Sequence, residues 1–274
     1  MIMEKKVILI TGASSGIGYQ TAEMLAREGH KVYGAARHVE SLEALKPLGV
    51  EGIDMDVTDN ASMEAGVKAI IDKEGRIDIL INNAGYGSYG SIEEVPIDEA
   101  KRQLEVNVFG AMRLVQLVLP YMRKQHFGRI INTSSIGGRI TTYFGGWYHA
   151  SKYAIEALSN ALRMELQEFG IDVVLIEPGG IKTEWGIIAA NKLKETVKGT
   201  PYEKAGNTCA DGMIKLYSGN RLSKPEVVAK TMCKAVKAKR PKARYLCGYM
   251  ARLIVYMGMI MPTRMFDYVM KHST

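Results

Sequence analysis

Short runs of consecutive apolar residues alternate along this chain with longer stretches in which apolar side chains recur every three or four positions. Lys5–Thr11, Lys31–Ala36, Val50–Asp54, Ile77–Asn83, Arg129–Ser134 and Ile171–Glu177 belong to the first kind and are predicted to be buried strands. Gly16–Gly29, Val39–Lys46, Ala61–Glu74, Ile97–Gln125 and Gly146–Phe169 belong to the second and are predicted to be helices, the long fourth one adjusted near Pro120. Strands of continuous Val/Ile/Leu character separated by helices imply a parallel sheet covered on both faces. Right-handed crossovers then wind it doubly, with ligands beyond the carboxyl ends of the strands. The expected fold class is therefore α/β, a single-domain Rossmann fold spanning 1–274 with its cofactor part over about 5–182.

Beyond Pro178-Gly179 the pattern loosens. Residues 183–220 read as a long excursion with weak helices, forming a substrate loop. Pro225–Ala238 reads as a helix and Arg244–Cys247 as a last strand. A Met-rich tail helix is expected from near Met250, within a C-terminal extension of about 248–274.

Composition narrows the class. Apolar residues make up 47% and charged ones 24%, as in a soluble globular protein with a substantial core. The three cysteines, Cys209, Cys233 and Cys247, show neither metal-ligand spacing nor a disulfide framework, so no metal and a reducing, cytoplasmic setting are expected. Val7-Ile8-Leu9-Ile10 is too short for the apolar core of a signal peptide. Of the 36 basic residues, twelve lie in 221–274 against only Glu226 and Asp267. With Met250, Met257, Met259, Met261, Met265 and Met270, that basic tail suits a lid, a contact between copies, or peripheral contact with a membrane. No nucleic-acid partner is expected.

Candidate chemistry begins at Thr11-Gly12-Ala13-Ser14-Ser15-Gly16-Ile17-Gly18, between the first strand and first helix. Glycines there permit a tight turn and close backbone approach to a pyrophosphate, which free helix N–H groups and the helix dipole favour. The G-x-x-x-G-x-G spacing departs from G-x-G-x-x-G, but its strand–helix context is right. The second strand ends in Ala35-Ala36-Arg37-His38. A carboxylate at this turn would hold a ribose 2′-hydroxyl, whereas Arg37 offers charge-assisted bonds to a 2′-phosphate, so NADP(H) is expected in preference to NAD(H).

Tyr148-His149-Ala150-Ser151-Lys152 places Tyr148 and Lys152 four apart on one helical face. Ser135 lies thirteen residues upstream, just past a strand. Asn107 lies in the long helix before that strand, and Asn82-Asn83-Ala84-Gly85 closes the strand before that helix. Taken together with Thr11–Gly18 and Pro178-Gly179, in order and spacing, these residues resemble the short-chain dehydrogenase/reductase family over about residues 5–250. Arg37, Asp56-Val57-Thr58 and the extended C-terminus look most like its 17β-hydroxysteroid dehydrogenase-like and retinol dehydrogenase-like branch.

The resemblance implies Tyr148 as the acid or base at the reacting oxygen. Lys152 then supplies a cation and a hold on the nicotinamide ribose, Ser135 orients the oxygen, and Asn107 holds a relay water. It further implies cofactor contacts from Gly12, Ser14, Ser15, Gly16, Ile17 and Gly18 at the phosphates and from Arg37. Asp56 and Val57 fall at the adenine, and Asn83, Ala84 and Gly85 at its ribose. Pro178, Gly179, Ile181 and Thr183 fall at the nicotinamide. The alternative for Asp56 is a turn residue and for Thr183 a helix N-cap. Tyr143, Trp147 and Trp185 are expected to line an apolar substrate pocket. The expected activity is hydride transfer between NADP(H) and a lipophilic carbonyl or secondary alcohol in the steroid, bile-acid, retinoid or acyl-ketone range. It is read as reduction, in a homo-oligomer. Oxidation of an alcohol by NAD(P)+ is the alternative among enzymes, and a silent NADP-binding sensor or scaffold the alternative of another class.

Overall fold

The computed structural model describes residues 5–272, so the first and last residues of the predicted 1–274 domain lie outside the described ones. Seven parallel strands form one sheet in the order β3-β2-β1-β4-β5-β6-β7. They are β1 (Val7–Thr11), β2 (Lys31–Ala36), β3 (Val50–Asp54), β4 (Ile79–Asn82), β5 (Gly128–Thr133), β6 (Ile171–Pro178) and β7 (Arg244–Cys247). The order reverses between β1 and β4, which opens a crevice at their carboxyl ends, the place where a doubly wound sheet binds its ligand.

Each face of the sheet carries its own core. On one, Ile8, Ile10, Val32 and Ile81 pack under Ala22 and Leu25 of α1 (Gly16–Arg27) and Val228 and Met232 of α8 (Pro225–Lys237). On the other, Leu9, Tyr33, Leu80 and Ile130 meet Val67 and Ile70 of α2 (Asn60–Glu74) and Leu114 and Val118 of α4 (Gly110–Gln125). Successive residues of a strand point to opposite faces, so strands covered on both sides must be apolar throughout. All five residues of β1 are indeed buried.

Helix ends follow local chemistry. Asp59 caps α2 by accepting from the Ala61 N–H at 2.9 Å, and Gly75 ends it at a φ of 71°. The short helix expected at Val39–Lys46 is a 3-10 segment over Val39–Leu48, ended by Gly49 at a φ of 88°.

Two expectations need correction. The long 97–125 helix does not adjust at Pro120, which sits inside α4. It changes pitch at Glu105–Phe109, a π turn between α3 (Ile97–Leu104) and α4. Pro120 is tolerated, whereas the π turn aims Asn107 at the strand ends; inserted turns of this kind cluster at functional sites.

The region 183–220 is not a loose excursion but two firm helices, α6 (Glu184–Val197) and α7 (Glu203–Ser218), packed on each other. They sit over the carboxyl ends of the strands beside α5 (Gly146–Glu165). The tail holds two helices, α9 (Ala251–Ile260) and α10 (Thr263–His272), separated at Pro262.

Candidate active site

The loop after β1 turns at two glycines with positive φ, Gly12 (65°) and Gly16 (55°). A Cβ on Gly12 would stand 2.8 Å from the Ala84 Cα, and one on Gly18 would overlap the Gly12 carbonyl oxygen. Side chains are excluded at these positions by the fold itself, and the backbone surface they leave is bare. Ser15, the N-cap of α1, makes no side-chain capping bond, so the first N–H groups of the helix face outward with Ser14, Ser15, Gly16 and Ile17 around them. This is the cradle a pyrophosphate needs.

Asn83 ties this loop to the neighbouring strand. Its Nδ2 donates to the carbonyls of Thr11 (3.1 Å) and Gly12 (3.2 Å), and the N–H groups of Asn83 and Ala84 both donate to Thr11 Oγ1 at 3.1 Å. These bonds clamp the phosphate loop to the end of β4.

Arg37, just past β2, is exposed and forms no ion pair among the described residues. Asp56 is half-buried nearby. Burial opposes its ionisation, but bonds from the Thr58 N–H (2.9 Å) and hydroxyl (2.8 Å), with the charges of Arg37 and Arg102, hold its pKa below the usual value. One of its oxygens thus serves the turn envisaged in the sequence. Val57 packs its carbonyl against Gly110, where a side chain would clash. At the other end of the crevice Thr183 occupies the N-cap of α6 without a side-chain cap bond, and its Cγ2 stands 3.8 Å from a Cβ position on Gly16. Pro178 ends β6, the Gly179 N–H donates to Cys247 at 2.8 Å, and Ile181 is buried beside them. Phosphate loop, Arg37, Gly85 and the 178–183 segment therefore border one crevice. Its residues fit an NADP-type dinucleotide.

At the centre lie Tyr148 and Lys152, both buried on the inward face of α5. The Lys152 ammonium donates to the Thr133 carbonyl at 2.9 Å and stands 5.9 Å from the centre of the Tyr148 ring. Burial pushes its pKa down to about 8, with Glu156 acting in the opposite direction. Burial likewise pushes the Tyr148 phenol up to about 12, against the hydrogen bond with Ser135. Ser135 is held in turn by the Gly137 N–H, which donates to its Oγ at 3.0 Å. The phenol is thus neutral at ordinary pH and ready to give a proton.

Asn107 spends its side chain on scaffolding. Its Oδ1 accepts from the Tyr86 N–H (3.0 Å), and its Nδ2 donates to the Tyr86 carbonyl (2.9 Å) and Ser151 Oγ (3.0 Å). Both amide hydrogens are used, so a relay water could meet this side chain only by donating to Oδ1.

His149 points away from the reacting centre, as a neighbour on a helix must. Its Nδ1 donates to the Gly137 carbonyl at 2.9 Å, and its Nε2 accepts from the Thr142 N–H at 3.0 Å. That ties the loop carrying Ser135 to the loop carrying Tyr143.

The substrate side is aromatic. The Trp185 ring centre lies 5.0 Å from that of Tyr148, Tyr89 lies 6.0 Å from Tyr148, and Tyr217 lies 6.4 Å from Trp185. Tyr143 stacks on Phe144 at 4.0 Å, and Phe144 meets Tyr202 edge-on. Of the expected pocket residues, Trp185 and Tyr143 belong to this cluster. Trp147 does not join it, because one step along α5 turns a side chain about 100° from Tyr148. Tyr89 and Tyr217 were missed in the sequence. No local motif marks them; only the packing of α7 and the loop after β4 brings them to Tyr148.

Residues 6–192 match the short chain dehydrogenase family. A probable short-chain type dehydrogenase/reductase of Helicobacter pylori is 39% identical over 94% of both chains. A 3-ketodihydrosphingosine reductase of Bacteroides thetaiotaomicron is 36% identical over 98% of both. An NADPH-dependent 3-dehydrocapnine reductase of Ornithobacterium rhinotracheale is 35% identical over 95% of this chain and 94% of its own. The crystal structure of a short-chain dehydrogenase from Streptomyces avermitilis superposes with a TM-score of 0.76 at 32% identity, covering 88% of this chain and 87% of that one. The chain belongs to the short-chain dehydrogenase family, and it is an enzyme of NADP(H)-linked hydride transfer.

Proposed function

We propose that this enzyme reduces a lipid ketone with NADPH, using Tyr148 as the acid. The observation that carries the reading is the buried, neutral Tyr148 phenol set against an aromatic wall of Trp185, Tyr89 and Tyr217. The cofactor supplies the hydride when bound; the chain supplies placement and the proton. Tyr148 donates its phenolic proton to the carbonyl oxygen as charge develops there, and Ser135 orients that oxygen. Lys152, cationic below about pH 8, favours the resulting phenolate and holds the nicotinamide ribose hydroxyls. Tyr148 then regains its proton from solvent through Lys152 and a water beside Asn107.

Acyl ketones lead the substrate range because two relatives are named as reductases of 3-keto and 3-dehydro compounds. Within the family, Arg37, Asp56 and the two tail helices support the hydroxysteroid and retinol dehydrogenase-like branch, whose ligands are also apolar. NADPH oxidation followed over long-chain 3-ketones, steroids and short aldehydes tests the reading. Turnover confined to short polar aldehydes overturns it.

Preference for NADP(H) rests on Arg37. Exchanging Arg37 for Asp removes a charge-assisted phosphate partner and introduces repulsion, so NADPH affinity is expected to fall by about 10- to 100-fold. NADH affinity should hold or improve. Equal loss for both cofactors, read from their binding curves, would refute the assignment.

Working in the cytoplasm, the enzyme meets its substrate at a membrane surface through α9 and α10. Leu253, Tyr256 and Ile260 of α9 and Met265 and Tyr268 of α10 are exposed, Ile260 at 80%. Arg252 and Tyr256 also border a cavity of about 450 Å³ that Lys234 and Lys242 make basic. Apolar side chains flanking a cationic hollow match an anionic bilayer, although among the described residues no helix is long and apolar enough to cross one. The protein should sediment with vesicles containing phosphatidylglycerol and not with phosphatidylcholine alone, and Leu253→Asp with Ile260→Asp should release it. Indifference to vesicle charge and to both substitutions would remove this surface from the proposal. The surface where Phe109, at the end of the π turn, and Tyr153 and Met164 of α5 are exposed is the one we assign to pairing with a second copy.

A further inference from the structure

Behind Lys152, one turn further along α5, lies a buried carboxylate pair that the chemistry above leaves unused. Glu177, the residue before Pro178 on β6, is fully buried, and Glu156 is nearly so. Arg244 of β7 reaches both: its Nε lies 3.0 Å from Glu177 Oε1 and 3.2 Å from Glu156 Oε2, and its Nη2 lies 3.1 Å from the same Glu156 oxygen. Nη2 also donates to Asn160 Oδ1 at 2.6 Å. Arg139, from the turn after Ser135, stands 3.5 Å from Glu177 Oε1.

The remaining two oxygens, Glu156 Oε1 and Glu177 Oε2, are buried and find no donor. An ionised carboxylate only accepts, so two ionised groups cannot satisfy each other. A buried acceptor without a partner costs about 1–3 kcal/mol, and two adjacent negative charges cost more. A single proton placed between them removes both penalties at once. We propose that Glu156 and Glu177 share one proton, and that this pair is a positioning element which keeps Lys152 cationic as the pH rises.

The electrostatics run in the same direction. Burial first, and then Glu156, push Glu177 up to about 7, against the charges of Arg139 and Arg244. The groups facing the pair are Lys152 on α5, Arg139 on the adjoining turn, and Arg244 and Cys247 on β7. When the shared proton leaves, the pair gains a second negative charge one helical turn from Lys152. That charge favours the ammonium in the pH range where burial alone would begin to discharge it. The two titrations are arranged so that one delays the other. The consequence for the cofactor rests on the reading above, in which Lys152 holds the nicotinamide ribose; the proton sharing itself does not.

Glu177→Gln tests both parts. Its amide can donate to Glu156, which copies the protonated form and cannot titrate. A group whose folded pKa is raised stabilises the fold fully below its unfolded pKa and loses that contribution as pH climbs through the folded value. The melting temperature of the parent should therefore fall relative to Glu177→Gln between about pH 4.5 and pH 7. A gap that does not change with pH overturns the shared proton.

The second measurement is the NADPH dissociation constant against pH, read from nicotinamide fluorescence. In the parent it should hold to higher pH than in Glu177→Gln, whose affinity is expected to weaken about fivefold or more across pH 8–9. Superimposable binding profiles overturn the link to Lys152, and a merely structural role would weaken binding equally at every pH. Absence of NADPH binding in the parent would instead count against the cofactor assignment and leave the melting result intact. Should Glu177→Gln fail to fold, Glu156→Gln fixes the same pair from the other side and is expected to give the same two pH signatures.

Discussion

Tyr148→Phe is expected to lower NADPH-dependent ketone reduction by about a thousandfold, the scale of losing a positioned acid. The substitution removes one oxygen and keeps the ring, so the contacts at 5.0 Å to Trp185 and 6.0 Å to Tyr89 persist. Lys152 keeps its bond to the Thr133 carbonyl, and the phosphate loop is untouched. NADPH affinity and melting temperature should accordingly stay close to those of the parent. That combination separates chemistry from folding. A variant that still oxidises NADPH at the parent's rate with the ketone present would remove Tyr148 from the reaction and revive the idea of a binding protein that keeps the fold without turnover. The pH dependence adds a sign. Reduction needs a protonated phenol and a charged ammonium, so its kcat/KM should decline once rising pH discharges Lys152, and at lower pH in Glu177→Gln than in the parent.

How much of this was legible in the sequence depends on the kind of signal each part leaves. The sheet announced itself because strands buried on both faces must be apolar at every position, and Val7–Thr11 can hardly be read otherwise. The catalytic pair was legible because four residues bring side chains together on any helix.

The helices of 183–220 were underestimated for a physical reason. Their contact surfaces use small residues that resemble loop composition: Gly186 lies against the Tyr217 ring and Gly206 against Val197, with Ala189, Ala190 and Ala210 buried beside them. Close approach of two helices needs such residues, yet they weaken the apolar periodicity by which a helix is recognised. The π turn at Asn107 left no trace either, since one inserted residue changes geometry without changing composition. Phe144, which packs in the cluster that Trp185 joins, takes a φ of 60°, rare for an aromatic residue and marked by no local motif. The Glu156–Glu177 pair is likewise a product of topology. Its members are twenty-one positions apart, and only the docking of α5 against β6 brings their carboxyl groups together.

Gly18→Ala should abolish useful cofactor binding, with an affinity loss of about a hundredfold or more, by the steric reasoning that governs overpacked positions. Gly18 is not at a positive φ, and alanine suits a helix better than glycine, so a local propensity argument predicts a gain. Packing decides the other way. The added methyl would overlap the Gly12 carbonyl oxygen and stand 2.6 Å from the Asn83 amide nitrogen. Those two groups are bonded to each other at 3.2 Å and hold the phosphate loop to β4. The methyl must push the loop off the strand end, which misplaces the turn at Gly12 and Gly16 and the N–H groups that follow it. Because the damage is local, the sheet should survive: far-ultraviolet circular dichroism is expected to match the parent while NADPH fluorescence no longer titrates. Gly29→Ala provides the contrast. A methyl there meets nothing within 4 Å, and its cost is confined to a φ of 87°, so it should lose stability without losing affinity. If Gly18→Ala binds NADPH as tightly as the parent, the loop is not the cradle described above, and the cofactor must be held elsewhere in the crevice.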